Sequence, residues 1–252
     1  MKTTLSLSGG KDSTYLLLEL IRRGTPPDEC VFFDTGWEFP QMYRHINRLQ
    51  GLCKLHGIQF VTLYPERSFD YLMFEKPVKE TGGGQHFGYS WCGARGVRWG
   101  TTEKTRILDQ HNRGAVVMIG IAADEPDRLA KERAPGKIFP LAECLAGCYA
   151  AGYDWEGLYE KLDRVSCACC AAKNLKELRN IYNDMPDVWA DLQRRQRMTK
   201  RPFKGPGKSV PELAIRFELE KKWIAEGKNV KSREFYKTLA EALREEAPAW
   251  QR

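Results

Sequence analysis

The chain has 252 residues and a formal charge of +7, from 40 Lys and Arg against 33 Asp and Glu. With 29% charged and 42% hydrophobic residues it reads as a globular protein of one large or two small domains rather than a disordered chain, and no apolar run approaches the roughly 18 residues of a membrane span. The excess charge is local: residues 1–170 hold 21 basic and 21 acidic side chains, whereas residues 171–252 hold 19 and 12. The opening MKTTLSLSGGKDS has no long apolar core, so no secretory leader is expected and a cytoplasmic setting is. In that setting eight cysteines stay reduced, and where they cluster they suggest metal or catalysis rather than a disulfide scaffold. The four histidines show no ligand pattern.

Thr3–Ser8 reads as a first strand that runs into a Gly-Gly turn. Helical spacing of Tyr15, Leu16, Leu18 and Leu20 follows over about Asp12–Arg23 and is broken at Pro26-Pro27. Cys30–Phe33 is a second strand, Phe39–His56 a second helix stopping at Gly57, and Ile58–Tyr64 a third strand. Glu75–Val97, rich in glycine and aromatics without a period, reads as a long loop over the site. Thr101–His111 is helical and Ala115–Ile121 is a wholly apolar strand. Strands alternating with helices imply βαβ units, a parallel sheet and a doubly wound α/β core with helices on both faces. Beyond Phe139 the pattern turns helical over Leu141–Ala151, Asn174–Arg197, Val210–Glu226 and Arg233–Glu246. The expected division is therefore a nucleotide-binding α/β domain over residues 1–140 and a helical region over 141–252. That region holds a cysteine cluster within 141–175 and a basic segment at 194–208.

Ser8-Gly9-Gly10-Lys11-Asp12-Ser13 lies between the first strand and the first helix, where ligands of a parallel sheet bind. Two glycines allow close backbone approach. The hydroxyls of Ser8 and Ser13, the loop amides and the helix N-terminus can hold an anion, and Lys11 adds a cation. A plain Gly turn with a capped helix is the alternative. The Walker A pattern G-x-x-x-x-G-K-[ST] is absent.

SGGKDS resembles the PP-loop of the ATP pyrophosphatases. Asp34-Thr35-Gly36-Trp37-Glu38-Phe39-Pro40-Gln41-Met42-Tyr43 is similar to the D-T-G-[WY]-x-F-P-x-x-Y string of the phosphoadenosine phosphosulfate (PAPS) reductase family. Gly120-Ile121-Ala122-Ala123-Asp124-Glu125 with Arg128 resembles that family's G-I-R-x-D-E-x-x-R. Arg98-Trp99-Gly100-Thr101 with Lys104 resembles R-W-C-T-x-x-x-K, with Gly100 in place of the cysteine. The resemblance spans residues 5–170 and implies a Rossmann-like, HUP-type sheet binding an adenine nucleotide such as ATP. It assigns Ser8, Gly9, Gly10, Lys11, Asp12 and Ser13 to the phosphates, with Thr35 and Gly36 beside them, and Asp34 to Mg²⁺, an oxygen ligand suited to a hard cation. Asp34 can equally be a helix cap or turn residue. Arg98, Lys104 and Arg128 become phosphate or sulfonate clamps, although each can also be an ordinary surface charge, and Asp124 and Glu125 can pair with Arg128. Lys11, Asp12, Asp34 and Arg128 are the candidate catalytic residues.

Cys167-Ala168-Cys169-Cys170 places three thiols in four residues, with Cys144 and Cys148 upstream at i, i+4 on one helix face. Thiolates at such spacing suit structural zinc or an iron–sulfur cluster; buried core cysteines are the alternative. The stretch is also similar to the family's R-x-S-C-x-C-C region, some members of which carry a metal or a [4Fe–4S] cluster, with Ala171-Ala172 where Pro-Leu often follows. The candidate ligands are Cys148, Cys167, Cys169 and Cys170, with Cys144 or Cys92 as substitutes. Cys30 and Cys53 read as core residues, and Cys92 also as a reactive thiol near the nucleotide.

Three activities compete. ATP-dependent adenylation with pyrophosphate release, coupled to sulfur transfer, is favoured by the intact loop. A sulfonucleotide reductase is second, since the family's C-terminal E-C-G-x-H nucleophile motif does not occur and no cysteine follows Cys170. A non-enzymatic nucleotide- or nucleic-acid-binding module is third. The acceptor and the sulfur donor are not readable, and an oligomer is compatible with the sequence. Arg194–Lys208 (RRQRMTKRPFKGPGK) has seven basic and no acidic residues. Its Pro and Gly content suggests a mobile, solvated connection, while Phe203 among the cations makes it a candidate nucleic-acid contact.

Overall fold

The structure, a computed structural model, describes residues 1–93, 97–122, 137–165 and 167–246. It falls into two compact units, each made of two stretches of chain: Met1–Phe69 with Gly100–Ala168, and Asp70–Trp99 with Cys169–Arg252.

The first unit is built on a parallel sheet. Its elements in chain order begin with β1 (Thr3–Ser6), α1 (Lys11–Arg22), β2 (Glu29–Phe33), α2 (Pro40–Leu55) and β3 (Gln59–Leu63). The short α3 (Phe69–Phe74), β4 (Pro77–Lys79) and β5 (Gln85–Phe87) lie almost wholly in the second unit. The chain then returns with α4 (Trp99–His111), β6 (Val116–Ala122), β7 (Lys137–Leu141), α5 (Cys144–Ala150), a 3₁₀ turn at Trp155–Gly157 and α6 (Leu158–Lys161). The sheet order is β3-β2-β1-β6-β7, all pairs parallel, with Leu5 between Cys30 and Met118. This is the expected Rossmann-like α/β architecture. The chain winds outward from β1 to β3 on one side and continues with β6 and β7 on the other, so β1 and β6 flank the switch point where such sheets bind ligands. Strands buried on both faces read as unbroken apolar runs, which is why Cys30-Val31-Phe32-Phe33 and Val116–Ala122 carry no alternation; β2 is buried throughout. α1 turns Leu16, Leu17 and Leu20 inward, and α2 turns Met42, Ile46, Leu49 and Cys53 inward.

One element differs from the expectation here. The helix anticipated over Leu141–Ala151 starts only at Cys144, and Lys137–Leu141 pairs with β6 as a fifth strand. Ile138, Phe139 and Pro140 disfavour helix and suit an edge strand.

In the second unit, the segment expected to be one long loop contains the β4–β5 antiparallel hairpin, turned through Gly82 and Gly83 at φ 126° and 96°. The helix expected over Asn174–Arg197 is two, α7 (Leu175–Asp184) and α8 (Pro186–Arg197). Proline excludes the helical region for the residue before it, and Met185 sits at φ −134°, ψ 66°. α9 (Val210–Ala225) and α10 (Arg233–Glu246) follow as anticipated. Asn174 with Glu177 and Ser209 with Glu212 form capping boxes at the starts of α7 and α9. Tyr182 packs edge to face on Trp189, and both rings meet Phe217 at a tilt, across α7, α8 and α9; Trp223, Phe235 and Leu239 join α9 to α10.

The basic segment is not a mobile connection. Phe203 is fully buried against Trp91, so it offers no face for stacking a base. The Gln196 side chain accepts from the amides of Phe203 and Val210 and donates to the carbonyls of Thr199 and Arg201. Arg195 is buried between Asp191 and Asp70, Arg194 pairs with Asp191, and the Lys204 ammonium donates to the carbonyls of Ala171 and Lys173 at 2.6 and 2.5 Å. Three of the seven cations are thus structural. Arg197, Lys200, Arg201 and Lys208 are exposed.

At the start of β2, Glu29 is 1% exposed and is met by Lys2 at 2.9 Å and His111 at 2.8 Å. Burial pushes its carboxyl up, but these two partners outweigh burial and hold it below the usual carboxylate value. A depressed carboxyl stabilises the fold fully above its ordinary value of about 4.3 and loses that contribution as pH falls through the lower folded value. Glu29→Gln should lower unfolding free energy by about 1–3 kcal/mol at pH 7, with a difference from wild type that shrinks below about pH 4. Urea melts at pH 7 and pH 3 check both the size and the direction.

Candidate nucleotide-phosphate site

β1 ends at Ser6, and residues 7–10 carry the chain to α1 over the carboxyl edge of the sheet. The turn requires glycine. Gly9 sits at φ 78°, and a Cβ there would lie 2.8 Å from both Ile46 Cδ1 and Met42 Sδ of α2. Gly10 is the N-cap of α1 and gives it no side-chain cap, so the loop is not the capped-helix alternative. The first amides of α1 therefore present the positive end of the helix. The hydroxyls of Ser8 and Ser13 lie 3.1 Å apart, and Ser13 Oγ is 3.2 Å from Gly10 O. Lys11 Nζ pairs with Asp12 Oδ1 at 2.8 Å. Two serine hydroxyls, the amides of a helix N-terminus and a lysine around two glycines can hold a phosphate chain.

The other predicted residues are distributed as follows. Asp34 follows β2 at the same edge of the sheet. Its Oδ1 accepts from Gly36 N at 2.8 Å and from the Tyr43 hydroxyl at 2.9 Å, which leaves Oδ2 for a cation. Burial, and then the neighbouring Asp34, push the Tyr43 phenol up, so it stays a donor. One carboxylate plus substrate phosphates is an ordinary way to hold Mg²⁺, and Asp34 fits it. Thr35 Oγ1 donates to Glu38 at 2.8 Å and accepts from Trp37 N at 3.1 Å, which makes the turn rigid. Lys104 is half-buried on α4, and Arg98 lies in the second unit and is exposed. Asp124, Glu125 and Arg128 lie outside the described residues.

The cysteines separate. Gly147 lets α5 lie close against α1, since a Cβ there would fall 2.2 Å from the Tyr15 ring. This places Cys144 and Cys148 under the loop. Cys148 Sγ is 3.5 Å from Lys11 O, and Asp12 is a charged neighbour of Cys144. Burial first, and then neighbouring groups including Asp12, push both thiols up to about 12. Cys167 precedes Ala168, whose amide donates to Trp37 O at 2.7 Å in the turn after β2. Cys169 and Cys170 belong to the second unit, where Cys169 is buried and its thiol is raised by burial. A Cβ on Gly93 would lie 3.7 Å from Cys170 Sγ, which brings the Cys92–Gly93 turn to Cys170. Among the described residues no three His, Cys, Asp or Glu side chains converge as a metal site. Cys30 and Cys53 are core residues, as expected.

Sequence reasoning missed the aromatic wall of the loop. Trp155 Nε1 donates to Gly9 O at 2.8 Å, and the Tyr159 hydroxyl accepts from Lys11 N at 2.8 Å. His45 stacks on Trp155 with ring centroids 4.5 Å apart and bonds Thr14 Oγ1 at 3.0 Å. The available signal was the aromatic density of residues 149–159, which has Trp155 and Tyr159 one helical turn apart.

A parallel sheet with an uncapped, glycine-rich loop at its switch point defines a nucleotide-binding α/β protein. The phosphoadenosine phosphosulfate reductase domain model matches residues 2–135, and the chain belongs to that family, within the PP-loop, adenine nucleotide alpha hydrolase-like superfamily. Membership of that family supports a nucleotide-utilising role of the PP-loop kind. An uncharacterized protein of Methanocaldococcus jannaschii is 24% identical over 200 residues, which cover 73% of this chain and 39% of that protein. The chain thus spans about two fifths of its relative's length. No helix among the described residues is long and apolar enough to cross a membrane.

Gly9→Ala should cost about 1–3 kcal/mol, because the left-handed backbone and the contacts with Ile46 and Met42 both oppose a methyl group. Gly36, also left-handed at φ 75° but with open space around its Cβ position, should lose less on the same change. Paired denaturant melts of the two variants test this order.

Proposed function

We propose that the protein binds ATP, cleaves it between the α and β phosphates, adenylates an acceptor and releases pyrophosphate, and that a sulfur nucleophile then displaces AMP from the activated acceptor. The observation that carries this reading is the intact SGGKDS loop, whose uncapped helix amides and Lys11 stand at the switch point of the sheet. An acceptor oxygen forms the new bond to Pα. The Pα–O bond to the β phosphate breaks, pyrophosphate leaves with the electron pair, and the acceptor's proton goes to solvent.

In this reading the amides after Gly10 and the Ser8 and Ser13 hydroxyls hold the phosphates, and Lys11 moves from Asp12 to the charge growing on pyrophosphate. Asp12 holds Lys11 in reserve beforehand. Asp34 Oδ2 is a ligand for Mg²⁺, which when bound supplies neutralising charge to the phosphates. Lys104, Arg98 and Arg128 are the clamps assigned from the motifs. The sulfur-transfer half is supported by the cysteine-rich segment at 167–170 alone. A [4Fe–4S] cluster or zinc on Cys148, Cys167, Cys169 and Cys170 finds no converged ligand group among the described residues, so the reading runs through the nucleotide loop.

The family's own description favours a second reading, sulfonucleotide reduction. Two assays on the as-purified protein separate them: pyrophosphate release from ATP and sulfite release from PAPS. Pyrophosphate is expected, and sulfite without pyrophosphate would overturn the first reading. Lys11→Ala should lower the turnover of pyrophosphate release by about 10²–10³-fold while the protein stays folded.

The four exposed cations Arg197, Lys200, Arg201 and Lys208 are the proposed contact for a polyanionic acceptor. Changing all four to Gln should weaken binding of a single-stranded RNA or DNA oligonucleotide and flatten its salt dependence. Equal affinity and slope would reject a nucleic-acid acceptor at this segment.

A further inference from the structure

The loop has a problem that its own sequence cannot solve. The Gly9–Gly10 peptide has no Cβ on either side, so nothing steric fixes which way its plane faces. In a trans peptide the C=O and N–H point in opposite directions. The plane therefore has two orientations, one with the Gly10 N–H toward the mouth of the loop and one with the Gly9 carbonyl there, where it would repel a phosphate.

The structure resolves this from outside the loop. Gly9 O accepts from Trp155 Nε1 at 2.8 Å and lies 3.4 Å from Thr14 Oγ1. His45 Nε2 lies 3.0 Å from the same Thr14 hydroxyl, and His45 Nδ1 is buried with no hydrogen-bond partner among the described residues. One proton arrangement uses all the short contacts: His45 Nε2–H donates to Thr14 Oγ1, and the Thr14 hydroxyl donates to Gly9 O. A protonated ring could donate from Nε2 as well, but it would leave a buried Nδ1–H without an acceptor among the described residues, so the ring is neutral here; burial first, with Arg48 second, pushes His45 down to about 4. On the other side of Gly10, Lys11 N–H is held by the Tyr159 hydroxyl.

The segment that supplies these groups is itself strained. Trp155 and Glu156 stand at φ 51° and 52°, ahead of Gly157 at 79°. Left-handed backbone in residues other than glycine costs about 1–3 kcal/mol and persists only when its surroundings enforce it. Here α2 enforces it: the Arg44 guanidinium donates to both Glu156 carboxylate oxygens at 2.6 and 2.5 Å, and Arg48 donates to Gly152 O at 2.7 Å.

We propose that Trp155 is a positioning residue for the phosphate loop: its indole N–H, seconded by Thr14, holds the Gly9 carbonyl inward and so turns the Gly10 N–H outward as an anion donor. The inference rests on the nucleotide reading above and assigns the residue that sets its geometry. Tyr159 completes the frame by fixing Lys11 N on the opposite side of Gly10.

The probe is inorganic pyrophosphate, titrated into ¹⁵N-labelled protein and followed by calorimetry. In wild type, pyrophosphate should bind and shift the Gly10 amide resonance strongly downfield. Trp155→Phe keeps the ring and removes the donor. It should weaken pyrophosphate binding roughly 3- to 10-fold, the effect of one lost hydrogen bond, and reduce the Gly10 shift. The same variant should raise KM for ATP more than it lowers kcat. Tyr159→Phe is the second variant should Trp155→Phe fail to fold, and it should weaken binding similarly while sparing the Gly10 shift. A folded Trp155→Phe protein with wild-type affinity and the full Gly10 shift overturns the inference and leaves the nucleotide reading standing. Wild-type protein that binds neither pyrophosphate nor ATP overturns both.

Discussion

The close contact at Gly9 is the constraint on which the first unit depends. The loop crosses α2 with Ile46 Cδ1 and Met42 Sδ where any other residue would have its Cβ. That approach brings the start of α1 down onto the carboxyl edge of the sheet, and α1 in turn meets α5 only because Gly147 is bare beneath the Tyr15 ring. Two missing side chains thus set the spacing of three helices and the height of the phosphate loop above β1. The rest of the site is arranged around that height: the Trp155 indole, the Tyr159 hydroxyl and the buried thiols of Cys144 and Cys148 all reach backbone or side-chain atoms of residues 9–12.

The same frame explains why the anion site is left open. A serine or aspartate in place of Gly10 would cap α1 from within. With glycine there, no side chain of the N-cap residue occupies the helix start, and the first amide donates to a neutral phenol from another segment. Lys11 is likewise held by its neighbour Asp12. The Lys11–Asp12 pair is a reversible contact, suited to a loop that exchanges it for phosphate oxygens.

Most of the sheet was legible because a strand buried on both faces has a simple signature: Cys30-Val31-Phe32-Phe33 and Val116–Ala122 admit few other readings. The phosphate loop was legible because Gly-Gly between a strand and a helix has a narrow physical use. β7 was hidden because Ile138-Phe139-Pro140 is short and adjoins residues with helical spacing. The break at Met185 was marked by Pro186 and overridden by the strong periodicity on either side. The aromatic wall was illegible for a different reason. Trp155 and Tyr159 meet residues 9 and 11 across more than 140 positions, and nothing local to either segment announces a partner so distant. The basic segment misled in the opposite direction, since composition reports charge but not that Arg195, Lys204 and Phe203 are spent on the interior.

The discontinuity of the first unit has a consequence for how the protein is made. β1 leaves the ribosome well before one of its neighbours, β6, which begins at Val116, and before residues 155–159, which supply groups that hold its loop. Closing contacts across such lengths is slow compared with forming local helices. Until residue 159 has emerged, the glycine loop of the nascent chain lacks its contacts with Trp155 and Tyr159, and the stretch matched by the family model, which ends at residue 135, stops short of that point. The half matched by the family model is therefore not a self-sufficient half: its glycine loop gains its full set of contacts only when sequence beyond the matched stretch has been made.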